Sequence, residues 1–175
     1  QLVEDLLLLS RLDAHRLTLA NEIIALPELL EETARQVNKL SVARGVSLSV
    51  DFTAGTVHGD RVRLRQVLLI LLDNALRFTP SGGTIRLASQ PNSRDVVITV
   101  VDSGPGIPPD HLPHIFERFY RGDSEVTRRA KGAGLGLYLA KSVVEAHGGR
   151  IWARNNPDRG ATFYFDLPTV SAKRS

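Results

Sequence analysis

Three clusters in this chain combine residue types and spacings that could do chemistry. The first is Asn74, Arg77 and Phe78, spaced i, i+3, i+4, which share one helix face with Ile70 and Leu71. An asparagine amide oxygen is a hard, neutral ligand suited to Mg2+, which takes few protein ligands and keeps waters and substrate phosphates for its other positions. Arg77, one turn later, is spaced to meet such phosphates. A blander reading stays open here: Asn74 as a polar residue at a core edge and Arg77 as a solvated one.

The second cluster, Val101-Asp-Ser-Gly-Pro-Gly-Ile107, closes an apolar strand. A carboxylate leaving such a strand is costly unless it meets a donor. Ionised, it only accepts hydrogen bonds, so it would accept from the exocyclic amine of adenine and repel the carbonyl guanine presents there. Gly104 and Gly106 would let a base lie against the backbone beside Ile107. The same letters also make a good strand-ending turn. The third cluster is Lys131-Gly-Ala-Gly-Leu-Gly-Leu137, where Gly132, Gly134 and Gly136 alternate before Leu135 and Leu137 lead into a helix. Free N–H groups at such a helix start form a concavity for phosphates. A glycine hinge is the competing reading. No Gly-Lys-Ser/Thr ends the run and no strand precedes it, so it is neither a P-loop nor a dinucleotide fingerprint.

Regular elements must hold these clusters in place. Apolar spacing predicts a helix from Pro27 to about Arg44, stopped by Gly45, and a second from near Asp60 to just before Pro80. A third is predicted over Leu137–His147, stopped by Gly148-Gly149. Alternation predicts strands at Val46–Phe52, Thr84–Ser89 and Asp95–Val101, and a hairpin of Arg150–Arg154 with Ala161–Leu167. A short strand is also expected around Leu17 and Leu19. The strands fall mostly in hairpin-like neighbours, so the fold class is α+β: a two-layer sandwich with a mixed, largely antiparallel sheet and helices on one face.

Composition narrows the class further. The 175 residues suit about one domain. The absence of cysteine excludes disulfides, zinc–thiolate sites and thiol catalysis. The net charge of +3 is scattered apart from Arg128-Arg129-Ala130-Lys131, so no nucleic-acid partner is expected. No apolar run reaches the ~20 residues of a membrane span. The leucine stripe of residues 1–13 reads as the last turns of a bundle helix that needs partners, and the start without methionine suggests a piece of something longer.

The order of these motifs is more telling than any one of them. With Phe116-Glu-Arg-Phe-Tyr-Arg121 and Gly160-Ala-Thr-Phe163 in between and after, the set resembles the catalytic ATP-binding domain of bacterial sensor histidine kinases. Gln66–Thr79 resembles that family's N box, Asp102–Ile107 and Gly132–Leu137 its two glycine boxes, and Ile115–Arg121 its F box. The resemblance implies the family's α+β fold, with residues 1–13 ending the dimerisation helix, 14–170 forming the catalytic domain and 171–175 a disordered tail. It implies ATP and Mg2+ as cofactors and Asn74 as the metal ligand. Arg77 would approach the phosphates, and Asp102 would select adenine beside Gly104, Gly106 and Ile107. Thr162 would assist through water, and Gly132, Gly134 and Gly136 would cradle phosphate. Residues 108–131 would form a lid anchored by Phe116 and Phe119, with Arg118, Arg121 or Lys131 reaching the γ-phosphate. The implied activity is phosphoryl transfer to a histidine of the protein's own dimerisation domain and onward to a response regulator, in the cytoplasm, with the parent protein attached to the inner membrane or free.

Two positions depart from the family pattern. Ile70 stands where the N box usually carries another asparagine, and where ATP-hydrolysing relatives of the same superfold carry a water-activating glutamate. Isoleucine cannot take a proton, so independent hydrolysis is disfavoured, while a weakly catalytic regulatory module stays open. None of His15, His58, His111, His114 and His147 fits the acceptor pattern, so the acceptor is expected upstream of Gln1.

Overall fold

The computed structural model describes Ser10 and residues 19–53, 55–122 and 134–170. The expected dimerisation-helix end (apart from Ser10), Leu17, Lys131, Gly132 and the tail lie outside the described residues.

Helix α1 (Leu26–Ala43) carries Pro27 in its first turn, where the missing N–H has no intrahelical partner to lose. It buries Leu26, Leu29, Leu30, Ala34 and Val37 along one stripe. Helix α2 (Arg61–Phe78) starts at Asp60, whose side chain accepts the Arg63 N–H at 3.1 Å. It ends at Thr79, held extended by the following Pro80. Its buried set, Leu64, Val67, Leu68, Leu71, Leu72, Ala75 and Leu76, turns Asp73, Asn74, Arg77 and Phe78 toward the rim. Helix α3 (Gly136–Ala146) buries Leu139, Ala140, Val143 and Val144.

These helices cover one face of a five-stranded sheet ordered β2-β4-β5-β7-β6, with β2 (Ser47–Phe52), β4 (Thr84–Pro91), β5 (Asp95–Asp102), β6 (Ile151–Asn155) and β7 (Ala161–Pro168). The β2–β4 pair is parallel and the other three pairs are antiparallel, so the mixed sheet and one-sided helices follow the sequence pattern. Alternation sets the faces: Val96, Ile98, Val100 and Asp102 point into the core, whereas Val97, Thr99 and Val101 line an open groove of about 630 Å3 on the far side.

The amino-terminal part differs from the sequence reading. Leu19 lies in no element, and the first strand is β1 (Glu22–Ala25), paired antiparallel with β3 (Thr56–Gly59). Four-residue strands carry little alternation, and β1 has its partner about 35 residues away, beyond any local window. His58 sits inside β3 opposite Ile23.

Candidate functional site

The site begins with a buried charge. Asp102 ends β5 on the inward parity and is 6% exposed. Its Oδ1 accepts the Gly104 N–H at 2.8 Å and the Ala161 N–H at 3.3 Å. Burial pushes the carboxyl above its usual range, and these two backbone donors pull only partly against that. The carboxylate is therefore fixed in direction and keeps acceptor capacity to spare.

Backbone packs tightly around it. A Cβ on Gly104 would stand 2.9 Å from the Phe78 carbonyl oxygen, so the first glycine box lies directly against the end of α2. Gly160, at φ +89°, is required more strictly, since a Cβ there would be 1.9 Å from the Asp102 carbonyl oxygen. Across α2, Ile70 rests on the second glycine box: a Cβ on Gly136 would meet its Cγ2 at 3.4 Å. The segment Gln66–Thr79 thus lies against both glycine-rich segments.

Helix α3 opens at Leu135, which offers no side-chain cap, and its first turn holds no acidic residue. The positive end of its dipole therefore meets no acidic side chain of its own first turn. Leu135 is buried, while Gly134, Gly136 and Leu137 are half-buried at this mouth. Gly134 (φ +70°) lies so close to the F box that a Cβ would approach the Tyr120 carbonyl oxygen to 2.7 Å. Phe119, the non-glycine residue with positive φ (62°) among the described residues, is exposed and carries the Arg118 guanidinium 5.2 Å from its ring centroid. Phe116 turns the other way and meets Phe163 edge-on at 6.2 Å, with Ile107, Ile115 and Leu137 packed against the same core. Of the two expected anchors, only Phe116 packs, partly buried, against the core.

Two of the remaining expected residues, Asn74 and Arg77, stand on the α2 rim. Asn74 is half-buried on the α2 rim and its amide makes no hydrogen bond among the described residues, so the oxygen fits an oxygen-loving cation. Arg77 is half-exposed and paired with Asp73 at 2.8 Å. Such i,i+4 surface pairs are worth only ~0.3–0.5 kcal/mol, so a phosphate can compete for the guanidinium. Arg121 is exposed at the edge of the F box. Thr162 pairs with Val101, not with Asp102, so its side chain points to the opposite sheet face and its hydroxyl donates to Asn156 Oδ1 at 2.6 Å. Ala161 is the neighbour that reaches the carboxylate, through its N–H.

The sequence reading places the β6–β7 hairpin but misses what its turn holds. Asn155 and Asn156 bond the backbone of Ile107 and Asp102, and Arg159 bonds that of Gly104. Asn-Asn-Pro-Asp-Arg-Gly signals a turn, but nothing local shows which distant loop its amides address.

A mixed sheet backed by helices, with a glycine loop at the end of its central strand, is the architecture of histidine kinase catalytic domains. The profile of the Histidine kinase-, DNA gyrase B-, and HSP90-like ATPase family matches residues 59–171, and the chain belongs to that family. Among curated relatives, it is 38% identical to the signal transduction histidine-protein kinase BaeS of Escherichia coli K12 over 96% of this chain and 36% of that protein. Among solved structures, full-length ShkA in complex with AMPPNP is similar at a TM-score of 0.85 and 31% identity, covering 96% of this chain and 35% of that one. Histidine kinase ThkA in complex with the response regulator TrrA gives 0.76 at 26% identity, covering 99% and 49%. The chain spans about a fifth to a third of the length of the curated relatives it matches. No helix among the described residues is long and apolar enough to cross a membrane.

Proposed function

We propose that this domain binds Mg-ATP and donates the γ-phosphoryl group to a histidine on the dimerisation domain of its own sensor kinase, for onward transfer to a response regulator. One observation carries the reading: a buried, direction-fixed carboxylate, Asp102, at the floor of a glycine loop that abuts the α2 rim bearing Asn74. Asp102 accepts the adenine amine, while Gly104, Gly106 and Ile107 form the surface beside the base. The Gly134–Leu137 turn, the uncapped start of α3 and the preceding Lys131 and Gly132 receive the phosphates. Arg77, with Arg121, neutralises charge there. Mg2+, held by Asn74, supplies neutralisation of the phosphate oxygens when bound. In the transfer, the acceptor imidazole's free nitrogen forms the N–P bond as the bridging P–O bond breaks, and ADP leaves with that electron pair. Such chemistry is chiefly positioning and charge stabilisation, which these residues supply without a dedicated base.

Ile70 favours one other reading, a regulatory module that binds nucleotide but transfers weakly, because an apolar side chain fills the usual place of a second amide against Gly136. A longer chain that includes the dimerisation domain separates the two. Incubated with Mg-ATP labelled at the γ-phosphate, it is expected to gain acid-labile, base-stable label on histidine; binding with no such label would favour the regulatory reading. The cytoplasmic location follows from this role and from the ATP it requires.

A further inference from the structure

The loop that would read the base is not self-supporting. Between Asp102 and Ile107 it belongs to no strand or helix, and its backbone groups must find partners elsewhere. Ser103 N–H donates to the Thr84 carbonyl at 3.1 Å and Gly104 N–H to Asp102 Oδ1 at 2.8 Å, and the turn joining β6 to β7 supplies further partners through side chains. Asn155 pairs with one residue at both ends: Nδ2 donates to the Ile107 carbonyl at 2.7 Å, and Oδ1 accepts the Ile107 N–H at 2.7 Å. Asn156 Nδ2 donates to the Asp102 carbonyl at 3.1 Å, and its Oδ1 is held by the Thr162 hydroxyl. Arg159 Nε donates to the Gly104 carbonyl at 3.2 Å. Gly160 completes the clamp by letting the turn backbone press on the Asp102 carbonyl where no Cβ fits.

We infer that the β6–β7 turn is a specificity-determining clamp, in which Asn155 above all fixes the glycine loop at the distance from which Asp102 can tell an aminopurine from an oxopurine. The inference rests on the adenine-site reading above and deepens it. Asn155 is a positioning residue, acting through Ile107 and the loop. Both ends of its amide are matched, so an aspartate of the same shape would set a carboxylate oxygen against the Ile107 carbonyl. Hydrogen bonds weaken steeply once distance and angle drift. A loosened loop therefore loses base selection first, because the phosphates are received elsewhere, at α3 and the α2 rim.

The test is competition of ADP and IDP (which carries a carbonyl in place of the amine) for the chain, with inorganic tripolyphosphate as a probe of the phosphate site alone. The parent is expected to prefer ADP. Asn155→Ala and the near-isosteric Asn155→Asp should each cut the ADP-to-IDP preference by about tenfold, while tripolyphosphate binding stays within about twofold. A purely steric role for Asn155 would leave Asn155→Asp like the parent. Should either variant fail to fold, Arg159→Ala removes an exposed side chain and only the Gly104 bond, and should cut the preference by about two- to threefold. A parent preference that survives unchanged in the variants overturns the clamp alone. A parent with no preference overturns the adenine-site reading, and the clamp with it.

Discussion

His147 and Asp60 join the end of one helix to the start of another: His147 Nε2 accepts the Asp60 N–H at 3.0 Å, while Nδ1 faces the Val143 carbonyl at 2.7 Å. Asp60 is the residue that caps α2, and its Oδ2 accepts the Ala20 N–H at 3.2 Å. A single imidazole thus ties the C-terminus of α3 to the cap of the helix bearing Asn74, and through it to the segment leading in from the amino terminus.

That tie has a pH sign. Accepting through Nε2 requires the neutral ring, and burial holds the His147 pKa below its ordinary value of 6.5, against the opposing pull of the Val143 carbonyl and the Asp60 charge. The unfolded chain therefore binds the proton first. The contribution is full above about 6.5 and is lost as the pH falls from there toward the folded value. His147→Leu should lower stability at pH 7.5 by about 1–2 kcal/mol and flatten the slope between pH 7 and 5 relative to the parent. Parallel denaturant titrations at several pH values check this; identical slopes would remove His147 as the cause.

Asp102 should trade stability for binding. Burial raises its pKa above 3.8, so the folded domain disfavours the charged form. Stability from this group rises as the pH falls through the folded value and is diminished at neutral pH. Asp102→Asn keeps an acceptor for the Gly104 and Ala161 N–H groups without the charge. Its melting temperature without nucleotide should match or exceed the parent's, while ADP affinity drops at least about tenfold. A less stable variant with intact binding would place Asp102 in the framework and not in the site.

Asn74→Asp should abolish the Mg2+-dependent part of ATP binding, because a carboxylate on the α2 rim repels the phosphates an amide tolerates. Calorimetric titration of ATP with and without Mg2+ separates that part. An unchanged Mg2+ increment would sink the metal assignment.

Ile70→Asn restores the usual amide at the cost of an apolar contact with Gly136. A polar replacement for a half-buried isoleucine should destabilise the domain by about 1–3 kcal/mol. The Mg2+ concentration needed for half-maximal nucleotide binding should fall. If stability drops and the Mg2+ dependence does not move, Ile70 is packing and nothing more.

Much of this arrangement was legible in the chain. The α2 boundaries follow from Asp60 and Pro80, and the alternation of β5 places Asp102 on the same parity as Val96, Ile98 and Val100. The strand pair β1–β3 was not legible, because four residues are too few for a pattern and the stabilising partner is distant. Thr162 shows the limit most sharply. The family pattern implies that it assists through water, but nothing local shows that its register opposite Val101 turns it to the other sheet face, onto Asn156, while the Ala161 N–H reaches Asp102.

By itself the sequence determined the local chemistry: which residues can accept, donate, ligate or turn, and in what order, because caps, breakers and periodicity act over a few residues. Only the tertiary structure decided which of them meet. Asn155 reaches Ile107 across 48 positions, and His147 reaches Asp60 across 87. Those pairings depend on how the sheet orders its strands and how the helices lie on it, and both are set by burial of the whole core, not by any window of the chain.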